Sequence, residues 1–167
     1  MKQAIIDTNV AVVANGQNKD VQQSCIDACI LFLTTARTDK IILLDEGDEI
    51  REEYARALVD ARPHQLGMQF LVHILRNQFD TKFVKNIQLL KNADGEFYDF
   101  PETPSLDKFD RSDRKFAALA RKTKTAVTNA TDSDWVDHHT ALKKEGIDVN
   151  FLCGKVVSDW FTHGGRK

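Results

Sequence analysis

Short apolar runs that stop at a polar residue alternate along this chain with stretches in which apolar residues recur every third or fourth position. Ala4-Ile5-Ile6 ends at Asp7, and Ile41-Ile42-Leu43-Leu44 ends at Asp45-Glu46-Gly47. Both read as buried strands that deliver acids at their carboxyl ends. Between them Val21, Cys25, Cys29, Ile30 and Leu33 keep helical spacing, with Asn18 or Asp20 as the cap. Ile50, Tyr54, Ala57 and Leu58 carry a second helix up to Pro63. Two amphipathic stretches follow as far as Asn92, marked by Leu66, Phe70 and Ile74 and then by Phe83, Val84, Ile87 and Leu90. They predict a helical hairpin broken near Phe79-Asp80-Thr81.

Asp94–Pro104 holds two of the three prolines and reads as an ordered loop. Asp110 or Ser112 then caps a helix carrying Phe116, Ala117, Leu119 and Ala120, and the strand Thr125–Thr128 runs into Asn129-Ala130-Thr131-Asp132-Ser133-Asp134. A helix from Ser133 to Glu145, a stop at Gly146, a last strand from Ile147 to Leu152 and the tail Gly164-Gly165-Arg166-Lys167 complete the chain. Strands alternating with helices predict an α/β fold: three layers, α/β/α, about a central, mainly parallel sheet, with the hairpin in mid-chain. A length of 167 residues suits one domain, 1–167, with 63–106 as an elaboration.

Charge changes this picture little at first. The 23 basic and 25 acidic residues leave a formal charge of -2, so no global positive field advertises a polyanion partner. Cys25, Cys29 and Cys153 are too few and too scattered for a disulfide framework, which suits a reducing, cytoplasmic compartment. The start MKQAIIDTN is too short for a signal sequence, and no apolar run reaches the length of a membrane span.

The acids carry the candidate chemistry. In an open parallel sheet, residues just past different strands converge, and Asp7 and Asp132 meet that description. At about 100° per residue, Glu53 lies on the flank of the inward face set by Ile50, Tyr54 and Ala57, whereas Glu52 points away. Asp113 stands three, four and seven residues before Phe116, Ala117 and Ala120, on the buried face of its helix. Four inward carboxylates repel one another unless a cation joins them. An all-oxygen set without Cys or His suits Mg²⁺ or Mn²⁺, and the matching chemistry is phosphodiester hydrolysis.

Asp7-Thr8-Asn9 after a first strand, Glu53-Tyr54, Ser112-Asp113-Arg114-Lys115-Phe116 and Thr128-Asn129-Ala130-Thr131-Asp132-Ser133-Asp134-Trp135 together resemble a PIN domain, in order from Asp7 to Trp135. The resemblance implies a metal-dependent ribonuclease cutting single-stranded RNA, with the acidic quartet on Asp7, Glu53, Asp113 and Asp132 and with Asp134 as an accessory metal ligand. Thr8 and Asn9 would orient the first aspartate, with Thr128 and Asn129 supporting from the later strand. It also implies a toxin role with an antitoxin partner; a homodimer is the alternative partner. The tandem acids leave Glu52 or Glu53, Asp110 or Asp113, and Asp132 or Asp134 as alternatives. Arg111, Arg114 and Lys115 head a basic cluster that offers an RNA-backbone path. Trp135 after the acids could stack on a base, but the core is its expected place.

Two other readings compete. A haloacid-dehalogenase-like phosphatase also places an aspartate at a strand end, but Asn9 stands where that family needs its general acid. A non-catalytic interaction module would use Phe70, Phe79, Phe83, Phe97, Tyr98 and Phe100 to contact another protein.

Overall fold

The computed structural model describes residues 2–163; the predicted tail at 164–167 lies outside them. Five strands form one sheet in which every pairing is parallel: β1 (Lys2–Ile6), β2 (Lys40–Asp45), β3 (Val84–Ile87), β4 (Val127–Asn129) and β5 (Val149–Phe151), in the order β3-β2-β1-β4-β5. The α/β class with a parallel sheet therefore stands as expected.

The strand order dictates where the helices lie. From β1 the chain moves outward through β2 to β3 by way of α1 (Thr8–Ala14), α2 (Gln23–Asp39), α3 (Glu49–Ala57) and α4 (Leu66–Asn77). It then returns past β1 to β4 and β5 through α5 (Arg114–Thr123), α6 (Ser133–Asp137) and α7 (His139–Lys144). Right-handed crossovers in opposite directions cover opposite faces, which builds the α/β/α sandwich. Ile5, Ile6, Ile42, Leu43, Leu44 and Val127 are buried in the middle layer. Among the described residues no helix is long and apolar enough to cross a membrane.

Four features differ from the pattern-based reading. The second half of the predicted hairpin is the edge strand β3, which pairs Val84 with Ile42 through Ile87 with Asp45. Phe83, Val84 and Ile87 fit a helical period, but four residues are too few for periodicity to separate a helix from a half-buried edge strand. Second, α1 was not expected from its Val-rich run, since β-branched residues are indifferent helix formers; Asp7 caps it, and Val10, Ala11 and Val13 are buried. Third, the last long helix is split at His138 into α6 and α7, and α2 begins at Gln23 without a side-chain cap. Fourth, Cys25 on α2 and Cys153 after β5 are joined by a disulfide with Cα atoms 5.0 Å apart. Their separation of 128 positions hid a contact that the fold creates, so cysteine usage no longer argues for a reducing compartment. Cys29 remains a free, buried thiol.

Gly67 marks a close approach of α4 to α1. Its N–H donates to Asn15 Oδ1 at 2.6 Å, and a Cβ there would lie 2.6 Å from the Ala11 carbonyl oxygen. Gly67→Ala is therefore expected to cost about 1–3 kcal/mol by overpacking, read as a lower denaturation midpoint. An exposed helical glycine would instead gain about 1 kcal/mol from the same change, so a stabilised variant would refute the contact.

Candidate metal centre

In the order β3-β2-β1-β4-β5, the chain reverses direction between β1 and β4. That reversal opens a crevice at the carboxyl ends of the strands, where ligands bind in open α/β sheets. Ile5 pairs with Val127 and Ile6 with Thr128, and the Asp7 N–H donates to the Thr128 carbonyl at 2.9 Å. This register sets Asp7 beside Asn129 and the turn that follows it. Asn9 ties the two segments together: its Nδ2 donates to Asn129 Oδ1 at 2.9 Å, and its Oδ1 accepts from the Ala130 N–H at 2.8 Å. Asn129 Nδ2 in turn donates to the Asp132 carbonyl at 3.1 Å. Thr128 and Asn129 are both buried, and they support the site chiefly through their backbone and amide groups.

Asp7, Asp113 and Asp132 come together here: one carboxylate oxygen from each lies within 4.8 Å of the other two. Asp7 is 3% exposed and Asp113 5%, whereas Asp132 is half-buried. Three elements set them in place. Asp7 caps α1, accepting from the Asn9 N–H at 3.2 Å. Asp132 caps α6, accepting from the Asp134 N–H at 2.9 Å. Asp113 ends a 3₁₀ turn (Arg111–Asp113) that leads into α5 and is itself capped by Asp110.

Burial and mutual repulsion dominate the electrostatics. Loss of hydration, then the charge of Asp132, push the Asp7 carboxyl up to about 7, against the lowering effect of its hydrogen bonds from Asn9 and Trp135. Burial and then Asp7 and Asp132 push Asp113 up to about 9. Asp132 is also raised, first by burial, although a hydrogen bond from the Asp113 carboxyl stabilises its charged form. At neutral pH the trio without a cation therefore holds protons that isolated aspartates would have lost.

Glu53 on α3 is a neighbour of this trio, outside the three oxygens that converge. It accepts from Thr8 Oγ1 at 2.6 Å and pairs with the Lys115 ammonium. Thr8 thus orients Glu53 rather than Asp7. Asp134 turns away: its Oδ2 accepts from the Asp110 N–H at 2.8 Å, and its Oδ1 lies 3.0 Å from His138 Nδ1. Glu52 is exposed, as expected.

The basic residues differ from the expected RNA path. Lys115 is 6% exposed and spends its ammonium on Glu53 and the Ser112 carbonyl. Arg114 lies over the Phe100 ring at 4.8 Å, donates to the Asp107 and Phe109 carbonyls and pairs with Glu96 at 3.0 Å. Only Arg111 of the three is well exposed, and it too pairs with Glu96. The three positive charges are thus spent on Glu53 and Glu96 inside the protein's own loops and helices.

Two residues that the sequence places only in the core also shape the site. Trp135 is fully buried, and its Nε1–H donates to Asp7 Oδ2 at 2.5 Å. The available signal was that a core tryptophan needs an acceptor for its N–H. Tyr54, also fully buried, donates its hydroxyl to the Ile6 carbonyl and anchors the strand end that presents Asp7. Asp45 serves as a contrast. It also ends a strand and is buried, yet its oxygens accept from the Glu49 and Ile50 N–H groups at 2.9 Å each, so it caps α3.

The donor set fits a hard divalent cation. Three carboxylate oxygens within 4.8 Å are close to the span of two opposed ligands at about 2.1 Å each. Oxygen ligands select Mg²⁺ or Mn²⁺ over softer metals. The chain matches no family model, no curated protein and no solved structure.

Proposed function

We propose that this protein is a Mg²⁺- or Mn²⁺-dependent ribonuclease that hydrolyses phosphodiester bonds of single-stranded RNA, in the manner its PIN-like motifs imply. The observation that carries the reading is the convergence of Asp7, Asp113 and Asp132 within 4.8 Å at the crevice between β1 and β4. Burying three acids together is unfavourable without a cation to neutralise them. A cation bound by this trio would supply acidified water and positive charge opposite the phosphate in the transition state.

The chain's own residues do the positioning. The Trp135 indole N–H and the Asn9 backbone N–H fix the two oxygens of Asp7, so its orientation is set before any ligand arrives. Asp113 shares a hydrogen bond with Asp132 and must give up its proton when a cation enters. Lys115 offsets the negative charge of Glu53 beside the trio. Arg111, exposed and two positions before Asp113, is the one cation of the three left at the surface to meet a phosphate backbone, which would compete with Glu96 for it.

The haloacid-dehalogenase alternative weakens on one observation: both polar ends of the Asn9 amide are engaged with Asn129 and Ala130. The interaction-module alternative weakens because Phe70, Phe97 and Phe100 are buried, leaving only Phe79 and Tyr98 as large exposed aromatics of that set. With Mn²⁺, the purified protein is expected to cut single-stranded RNA and to stop on addition of chelator. No cleavage of any RNA or DNA, together with no metal binding by calorimetry, would end this reading.

A further inference from the structure

A disulfide uses two sulfurs, and here a third stands beside it. Cys25 and Cys29 lie one turn apart on the buried face of α2, and Cys153 comes to them from the segment after β5. The three Sγ atoms all lie within 4.8 Å of one another. Cys25 and Cys29 are buried, Cys29 completely, and Cys153 is half-buried. Among the described residues no His, Asp or Glu brings a fourth ligand atom within that distance of all three. The fold gathers these sulfurs independently of the S–S bond. The Gln22 N–H donates to the Trp160 carbonyl at 2.8 Å and Gln22 Nε2 to the Phe161 carbonyl at 3.2 Å, which ties the start of α2 to the chain beyond Cys153. On either side of Cys153, the Leu152 N–H donates to the Asn129 carbonyl at 3.0 Å, and the Gly154 carbonyl accepts from the buried Trp160 indole N–H at 3.0 Å. Opening the disulfide therefore leaves Cys153 over α2 beside its two partners.

Three converging sulfurs have a chemistry of their own. Thiolates are soft donors that select Cu⁺ or Zn²⁺ over Mg²⁺ and Mn²⁺. A metal–sulfur distance of about 2.3 Å puts two ligands of one ion at most about 4.6 Å apart, close to the spread of this trio. An apolar filler at position 29 needs volume alone and gains nothing from standing within ligand distance of two other sulfurs. We propose that, once the Cys25–Cys153 bond is reduced, Cys25, Cys29 and Cys153 hold one thiophilic metal ion, Cu⁺ or Zn²⁺, and that the disulfide is the metal-free, oxidised state of the same site. A dithiol reductant opens the bond: it gives two electrons and two protons to the two sulfurs and leaves as a disulfide itself. The ion then displaces thiol protons to solvent. The site shares no ligand with the acidic trio and does not rest on the ribonuclease reading.

The test uses the full chain, reduced with a phosphine that is then removed, under nitrogen. It is titrated with Cu⁺ and, in parallel, with Co²⁺ as an optical stand-in for Zn²⁺. The readout is sulfur-to-metal charge-transfer absorption, to which a metal on the carboxylates is silent. One ion per chain is expected in the reduced protein and none in the oxidised one. C29A should weaken binding more than about 100-fold, since even outer partners of metal ligands cost about 10- to 100-fold. The disulfide still forms in C29A, so a melt of the oxidised variant checks its fold, and C153S repeats the loss from the half-buried ligand. Saturation by Cu⁺ alone assigns a three-coordinate ion, saturation by Co²⁺ assigns a site that takes a fourth ligand from solvent, and either supports the proposal. No charge-transfer band in the reduced chain, equal binding by the oxidised protein, or a C29A variant that binds as tightly as the wild type would overturn it.

Discussion

Replacing Asp113 by Asn is expected to reduce Mn²⁺-dependent RNA cleavage by more than about 100-fold, because even outer partners of metal ligands cost about 10- to 100-fold when removed. The same change is expected to make the metal-free protein more stable at alkaline pH. Asp113 is buried among Asp7, Asp132, Asp110 and Glu53, and its carboxyl is pushed up to about 9. An amide of nearly the same shape removes that repulsion and can still donate to Asp132. Activity and stability thus move in opposite directions, which a merely structural aspartate would not produce. A cleavage assay and a thermal melt on one preparation read both. A variant that keeps its activity, or that loses activity through unfolding, would count against the metal centre.

The second expected result is that the metal-free protein loses stability as pH rises from about 7 to 8.5, and that Mn²⁺ reverses the trend. The sign follows from proton counts. An aspartate whose folded pKa is raised binds more protons folded than unfolded, so its contribution to stability falls through the window between its unfolded and folded values. For Asp7 that window runs from 3.8 to about 7, and for Asp113 from 3.8 to about 9. His73 and His139 act with the opposite sign, since burial lowers both below 6.5, so their contribution is complete above that value. Above neutrality Asp113 governs, with a slope of up to about 1.4 kcal/mol per pH unit. Mn²⁺ binds the deprotonated trio and adds about 2.7 kcal/mol at a hundredfold excess over Kd. Melting curves across this range, with and without Mn²⁺ and in D113N, decide the matter. A flat profile in the wild type would show that the trio is not repulsive.

The legible part of this chain was the part in which one residue type has one physical use. Ile41–Leu44 could only be a buried strand, and Asp113, on the inward side of Phe116 and Ala117, had to face the sheet. Strand ends were equally informative: Asp7 and Asp132 converge because a parallel sheet gathers its carboxyl ends. Legibility failed where two uses compete for the same residue. Asp45 and Asp7 look alike in sequence, and only the direction of the next helix decides that one caps α3 while the other joins the acids. Asp134 and Asp132 stand only two positions apart, and that step into α6 aims Asp134 at Asp110 and His138. Lys115 and Arg114 looked like a surface path because long cationic side chains usually are; here they neutralise buried or half-buried acids. Trp135 was seen as core, correctly, but its N–H acceptor was out of sight in one dimension.

The pairing of β1 with β4 also sets when the acidic centre can exist during synthesis. Asp7 and its Trp135 partner are 128 positions apart, and β1 first meets β2, from which the crevice is absent. A growing chain that has completed β1, β2 and β3 therefore carries half a sheet and one isolated aspartate. Parallel pairings between distant segments form late and slowly, since the loop must close before any contact rewards it. The centre thus assembles only after β4 and the turn carrying Asp132 have been made and β4 has docked on β1, so the nascent chain stays without its three-acid cluster until then.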